Sequence, residues 1–354
     1  MTNLLKCPVK RSVSAPLHQI LPMKRNVFVV LAVVALVAFS SWGFLVHRTV
    51  HQLAIYQLPK GLQPFFYSQK EYLVKYATRP DERRNSDSTE ATKHFIDFEA
   101  FGDSAAWKMP MDWNSAVQRY TKDSLVKYGY VPYQIMALKE QLTNAFRQKN
   151  KDNILFYAAD MGHYIADAHV PLHTSINYDG QLTGQKGLHS LWESVIPEIE
   201  LSNYNLSCKH KAKYLKRPEE QLWKAVQEAH LLLTGVFGQE KEVTKQFVDS
   251  TKYRTQVRRG REVKSYTSAF AKAYNARLGN TVNEQLIKSS NLVADFWYTA
   301  WVDAGKPDLS SLVTTMSDEE KKAYKKEVKA YKKNELLKNK LLIARRDQRE
   351  SGSE

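Results

Sequence analysis

The chain has 354 residues and a formal net charge of +15, from 52 lysine and arginine residues against 37 aspartate and glutamate residues. This length is compatible with one large domain. The basic balance favours phosphate-bearing partners such as nucleic acid or lipid headgroups, without deciding between them. The only cysteines are Cys7 and Cys208. Because Cys7 falls in a predicted leader, the rest of the chain can form no internal disulfide, and a cysteine-based zinc site is excluded.

Residues 1–41 have the pattern of a secretory signal peptide. Lys24 and Arg25 precede an apolar run over residues 27–39, and small residues follow it. The run is too short for a comfortable membrane span. Met23 could be the true start, because the sequence from that residue forms an ordinary signal by itself. We therefore predict a secreted or periplasmic protein with no stable membrane span after processing.

The predicted cleavage site lies between Ser41 and Trp42. Cleavage there would give Trp42 a free α-amine, and this amine, its carbonyl and the imidazole of His47 could together hold a metal ion. Phe39 would occupy a position where signal peptidases favour a small residue, so an uncleaved anchor is the alternative. His51 is spaced four residues from His47 and could take the same role or face the core.

Helical periodicity begins at Trp42 and ends at Pro59. A charged, turn-like segment, RPDERRN, follows at residues 79–85. Asp81 is a candidate metal ligand there, and His94 is another shortly afterwards. Arg83 and Arg84 could contact an anion, or the segment could be a solvated loop.

The densest group of candidate ligands lies between His163 and Glu193. His163 and Asp167 are four residues apart with no proline or glycine between them, so one helical face would carry both side chains. Pro171 ends that helix and His173 follows directly. His189 and Glu193 repeat the spacing, on a predicted second helix. Imidazole and carboxylate are ligands that zinc prefers, whereas the alternative is a pair of buried helices with satisfied histidines.

The remaining pattern predicts an all-α fold. Apolar residues recur at helical spacing, without sustained alternation, over residues 120–149, 219–235, 240–251, 266–275 and 282–302. We predict a single multi-helix domain over residues 42–305 around an interior site. Residues 306–354 form a predicted charged, helical C-terminal arm. A solvated helix and a nucleic-acid-binding arm both remain open for it.

The candidate residues together resemble the trinuclear-zinc phosphoesterase superfamily. This superfamily joins the bacterial zinc-dependent phospholipases C to the single-strand-specific nucleases called S-one and P-one. The resemblance runs from Trp42 to about Asp303 and leaves the C-terminal arm uncovered. It rests on Trp42, His47, Asp81, His94, His163, Asp167, His173, His189 and Glu193, which follow one another in the order of the family's metal-binding motifs.

The resemblance implies a site of three zinc ions. One ion would be held by Asp81, His94, His163 and Asp167, and a second by His173, His189 and Glu193. The third would be held by the Trp42 amine and carbonyl, His47 and Asp167, with Asp167 as a bridge. Zinc would lower the pKa of bound water so that hydroxide forms at neutral pH. Arg84 matches a phosphate-contacting position of the nucleases, so the resemblance gives catalytic roles to Asp81, Arg84 and Asp167.

Two branches of the superfamily fit the sequence. The short interval from Trp42 to His47, Arg48 and the motifs PLH (171–173) and LHSLW (188–192) are similar to the nucleases. Glu193 and the missing disulfides are similar to the phospholipases. We predict a secreted zinc phosphodiesterase, nuclease-like, that acts on single-stranded nucleic acid or nucleotides and needs no obligate protein partner. A phospholipase C is the alternative, and a non-catalytic, secreted metal-binding protein is a further one.

Overall fold

The computed structural model describes residues 43–258, 261–314 and 316–345, and these residues form one compact unit. The predicted leader and Trp42 lie outside them. The described part of the chain is almost entirely helical, which confirms the all-α class. No helix within it is long and apolar enough to cross a membrane.

The first half of the unit contains nine α-helices. They are α1 (Phe44–Gln57), α2 (Gln63–Ser68), α3 (Lys70–Lys75), α4 (Arg79–Arg83), α5 (Ala105–Lys108), α6 (Trp113–Tyr120), α7 (Lys122–Tyr128), α8 (Val131–Arg147) and α9 (Lys151–Asp167). Local signals set several of these boundaries. Asn150, for example, caps α9 by accepting a hydrogen bond from the backbone N–H of Asn153.

The second half begins with a helical segment of mixed type. It consists of α10 (Leu188–Ser190), a π-helical turn (Leu191–Val195) and α11 (Ile196–Glu200). The later elements are α12 (Pro218–Leu231), α13 (Leu233–Thr244), α14 (Asp249–Lys252), β1 (Tyr253–Arg258), β2 (Arg261–Tyr266), α15 (Ser268–Leu278), α16 (Thr281–Asp303) and α17 (Asp318–Lys332).

Four long helices, α1, α8, α9 and α16, pack against one another to form the core. Trp297 on α16 is fully buried and donates its indole N–H to the carbonyl oxygen of Ala158 on α9. Burial of large apolar side chains on these helices is the main stabilising contribution.

A glycine permits the close approach of α1 and α9. A Cβ atom added to Gly162 would lie 2.4 Å from Nε2 of His51 on α1, which is far inside van der Waals contact. The His51 ring occupies that space and lies within hydrogen-bonding distance of the carbonyl oxygens of His47 and Ala159. His51 therefore faces the core, and the close packing brings His47 beside α9.

The antiparallel hairpin β1–β2 is an element that the sequence pattern did not predict. Tyr253 pairs with Tyr266 at its base and Arg258 with Arg261 near its tip. The hairpin lacks the apolar–polar alternation of a half-buried sheet, because only its base is covered. Lys252 and Tyr266 anchor that base to the buried carboxylate of Glu240, with a Lys252 Nζ–Oε1 distance of 2.8 Å.

The C-terminal residues pack against the helical unit through polar contacts and through Leu336, Leu342 and Ala344, which are buried in the hydrophobic core. Glu327 on α17 accepts hydrogen bonds from the hydroxyl of Tyr56 and from Lys70, at 2.8 and 2.6 Å. Asn334 accepts from the backbone N–H of Leu206. Most of α17 is nevertheless exposed, since only Ala330 and Tyr331 are buried in it.

Candidate metal centre

Helices α1 and α9 supply three of the predicted ligands. His163 and Asp167 lie one turn apart on α9, and His47 faces them from α1; all three are almost completely buried. The rings of His47 and His163 stack with centroids 4.0 Å apart. Nε2 of His47 lies 3.6 Å from Oδ1 of Asp167, so the carboxylate is shared between the two helices.

Two further residues reach this group from the segment after α3. Nδ1 of His94 lies 2.9 Å from Oδ2 of Asp167 and 3.1 Å from Nε2 of His163. Asp81 on α4 completes the group, with Oδ1 3.8 Å from His94 and 3.9 Å from His163. Arg84 follows Asp81 at the exposed edge, with its guanidinium 3.8 Å from the Asp81 carboxylate.

The second group of candidate ligands lies beyond α9. His173 is on a 3₁₀ turn (Pro171–Thr174), His189 on α10 and Glu193 on the π-helical turn. The Nε2 atoms of His173 and His189 are 2.9 Å apart, and Oε2 of Glu193 lies 2.7 Å from that of His189. The π turn adds a residue to the helical turn that carries Glu193, a local irregularity that is frequent at functional sites.

The donor atoms of the two groups face a shared interior. Oε1 of Glu193 lies 3.4 Å from Nε2 of His47, so the second group adjoins the first. Among the described residues, four sets of three side chains have donor atoms close enough to hold a metal ion: His47, Asp81 and His163; His94, His163 and Asp167; His173, His189 and Glu193; and His47, Asp167 and Glu193.

Backbone carbonyl groups orient two of the histidines. Nδ1 of His163 lies 2.8 Å from the carbonyl oxygen of Ala77, and Nδ1 of His173 lies 2.7 Å from that of His94. Since a carbonyl oxygen only accepts, each Nδ1 carries the proton. Nε2 then points into the centre, and in the neutral tautomer it offers a lone pair, as a metal-ligating histidine does.

His94 has the opposite orientation, because a carboxylate lies behind it. Its Nδ1 points inward, whereas its Nε2 lies 3.6 Å from Oε1 of Glu90. Glu90 is fully buried and receives two hydrogen bonds from Arg83 and one each from Lys93 and Tyr164. Burial by itself would raise the pKa of Glu90, but these donors, with His94, hold it far below its usual range.

Glu90 is a residue that the sequence analysis missed. Its only sequence signal is the spacing of four residues from His94. Arg83, which was predicted to contact an anion or lie in a solvated loop, instead bonds Glu90 and also Asp160, at 2.9 Å. Arg83 therefore supports the centre from behind, and Arg84 is the arginine at the exposed edge.

The carboxylates and imidazoles of the centre act on one another through a strong local field. Burial would raise the pKa of Asp167, but the nearby His163 and His173 hold it well below its usual range. Burial lowers the pKa of His173, yet the negative charges of Asp167 and Glu193 more than offset this and raise it to about 9. The same field that favours a proton on His173 favours a metal cation.

The chemistry of the inward-facing atoms tests whether a metal ion fits the centre. Nε2 of His47 lies 3.6 Å from Oδ1 of Asp167, and Nδ1 of His94 lies 2.9 Å from its Oδ2. Imidazole nitrogens and carboxylate oxygens therefore face one another in a buried space. The donor set, two histidines with orienting carbonyl groups and a carboxylate shared by two helices, fits bound zinc.

Comparison with known protein families identifies the family to which this chain belongs. The chain matches the family model described as S1/P1 Nuclease over residues 42–296. The chain belongs to the S1/P1 nuclease family. The match spans the helices that carry every clustered side chain above, and it ends within α16. No curated protein sequence matches the chain closely.

Membership in the S1/P1 nuclease family confirms the resemblance and its nuclease-like branch. The protein is a nuclease-type hydrolase of phosphodiester bonds, and nucleic acid is the substrate that the family implies. Eight of the nine predicted metal ligands lie among the described residues, and the structure brings all eight together. The ninth, Trp42, lies outside the described residues, immediately before Gly43.

Proposed function

We propose that this chain is an exported, zinc-dependent nuclease that hydrolyses single-stranded nucleic acid. The observation that carries the proposal is the position of Asp167. Its Oδ2 faces His94 and His163, whereas its Oδ1 faces His47. One buried carboxylate therefore presents its two oxygens to different histidine groups, as a ligand that bridges two metal ions would.

The remaining assignments are those that the resemblance to the superfamily implies. Asp81, His94 and His163 with Asp167 would hold one zinc ion, and His173, His189 and Glu193 a second. His47 and Asp167 would hold the third, together with the α-amine and carbonyl of Trp42 after cleavage of the leader. Gly43 alone separates Trp42 from α1, which carries His47 one turn further on.

The residues of the centre would position a phosphodiester for attack. Bound zinc would supply Lewis acidity and lower the pKa of a water molecule, so that a nucleophile exists at neutral pH. Arg84 is about half exposed beside Asp81 and can donate hydrogen bonds to a phosphate oxygen. Glu90 keeps Nδ1 of His94 directed inward, and the carbonyl of Ala77 does the same for Nε2 of His163.

Export supports the proposed role of Trp42. The leader pattern of residues 1–41 precedes Trp42, and removal of the leader creates the amine. A family match that begins at residue 42 agrees with a mature domain that starts there.

A side-by-side assay tests this function. The mature protein is given single-stranded DNA, single-stranded RNA, duplex DNA and phosphatidylcholine vesicles, before and after chelation and with zinc added back. We expect cleavage of the single strands that is lost on chelation and recovered with zinc. Release of phosphocholine without strand cleavage would instead favour the phospholipase alternative, which Glu193 supports. Inactivity on every substrate would favour the binding protein.

A further inference from the structure

A cavity apart from the metal centre lies at the junction of the helical unit and the C-terminal residues. It has a volume of about 1000 Å³ and is bordered by the end of α1, the segment 205–212 and one face of α17. None of the candidate metal ligands lines it. We call it the lysine cavity after the side chains that line it: Lys60, Lys209, Lys211 and Lys332.

The lining of the lysine cavity is cationic. Among the described residues, its walls contain no aspartate or glutamate, and none of the four lysines has an ion-pair partner. All four are exposed. Two acids that contact lining residues are already engaged, because Asp295 accepts a hydrogen bond from His210, at 2.8 Å, and Glu327, which contacts Tyr56, is held by Lys70.

Such a concentration of unpaired charge in a concave surface selects for a polyanion. Exposed lysines that surround a single cavity repel one another, and a phosphate chain relieves this by replacing several small counterions at once. Tyr324 is half-buried in the same wall and offers an aromatic surface beside the charges. Cation and aromatic ring together are the composition of surfaces that bind single-stranded nucleic acid.

The cavity depends on a part of the chain outside the family match. The match ends at residue 296, whereas α17 begins at Asp318. The docked helix contributes Tyr324 and Lys332 to the walls, and the hydroxyl of buried Tyr331 lies within hydrogen-bonding distance of Gln57, at 3.2 Å. The lysine cavity is thus assembled by this chain's C-terminal extension and is separate from the metal centre.

We propose that the lysine cavity binds the sugar–phosphate backbone of the nucleic-acid substrate at a distance from the metal centre. The inference rests on the proposed nuclease function for the identity of the polyanion. It assigns the C-terminal residues a role in holding long strands. Short substrates that reach only the metal centre gain nothing from it.

Measuring strand binding without cleavage tests this proposal independently of the proposed nuclease activity. A labelled single-stranded 20-mer is titrated in EDTA, so that the outcome does not depend on cleavage, and anisotropy gives the Kd. The test variant carries Lys209→Gln, Lys211→Gln and Lys332→Gln. The matched control removes the same charge at exposed lysines elsewhere, with Lys149→Gln, Lys224→Gln and Lys241→Gln.

We expect the test variant to bind the 20-mer roughly tenfold more weakly at moderate salt, with the slope of log K against log salt reduced by about 2. The control should bind almost as the wild type does. With zinc present, the test variant should cleave a dinucleotide at the wild-type rate but show a raised KM for long strands. Equal losses in both variants would overturn the proposal, as would weaker binding to anionic vesicles with unchanged binding to the 20-mer.

Protection of a cysteine from alkylation tests the same contact without any substitution in the cavity. Cys208 lines the lysine cavity and is the only cysteine among the described residues. In the mature protein, saturating 20-mer should slow alkylation of Cys208 by iodoacetamide severalfold. Inorganic phosphate at the same total phosphate concentration should leave the rate of Cys208 alkylation unchanged. Unchanged alkylation with bound 20-mer would place the strand elsewhere and overturn the proposal.

Discussion

His173 and His189 face each other through their Nε2 atoms, 2.9 Å apart, with Oε2 of Glu193 beside both. Nδ1 of His173 is committed to the carbonyl oxygen of His94. A proton on one Nε2 can satisfy only one of the acceptors at this point. A cation between the three groups would satisfy all of them.

The first prediction concerns the shared carboxylate. Asp167→Asn keeps the side-chain shape but removes the negative charge that two ions would share. We expect elemental analysis to give about three zinc ions per wild-type chain and about one fewer in the variant, with activity reduced on the order of 10²-fold or more. His169→Gln, two residues further on, is the control and should retain its zinc. Equal losses in both variants would contradict the assignment on α9.

The second prediction concerns the residue behind His94. Glu90→Gln removes the carboxylate that faces Nε2 of His94, so the imidazole loses its orienting charge. We expect zinc affinity to fall roughly 10- to 100-fold, as for other outer partners of metal ligands. A competition titration with a chromophoric chelator measures this directly. Glu140→Gln, at an exposed position, is the control. If Glu90→Gln bound zinc with wild-type affinity, Glu90 would have only a structural role.

The third prediction joins export to catalysis. A chain with one methionine ahead of Trp42 has an amide where the proposed ligand is an amine, and an amide nitrogen coordinates zinc poorly. This form should fold, because α1 begins only at Phe44, yet bind about one zinc ion fewer and cleave strands slowly. Proteolytic release of Trp42 from a tagged precursor should restore both. Full activity of the extended form would show that the Trp42 amine is not a ligand of the site.

The fourth prediction is a pH dependence of stability. His169 is fully buried, and burial lowers its pKa to about 4. In the unfolded chain it binds a proton near pH 6.5, so its contribution to stability is lost as the pH falls from about 6.5 towards 4. We measure the free energy of unfolding of the metal-free proteins with denaturant. As the pH falls from about 6.5 to 4, the free energy of unfolding of His169→Gln should rise by on the order of 3 kcal/mol relative to that of the wild type. A constant difference between the two proteins would contradict the lowered pKa.

The sequence by itself predicted the candidate metal ligands and the helix that carries two of them. His163 and Asp167 are separated by one helical turn, and helical spacing is a local property that a continuous apolar pattern reveals. The order of the histidines and carboxylates along the chain likewise carried the family resemblance, and the fold class followed from periodicity alone.

Other features depended on tertiary packing. The approach of His47 to His163 requires α1 to pack closely on α9 at Gly162, and no local spacing encodes that distance. Glu90 looked like any other acid of a charged loop until its burial among Arg83, Lys93 and Tyr164 gave it a partner in His94. Hairpin β1–β2 was not predicted because the anchor that holds it, Glu240 with Lys252 and Tyr266, joins residues that come together only when the chain folds. Local periodicity reports the short-range preferences of the backbone, whereas long-range contacts decide which side chains share a buried, low-dielectric space.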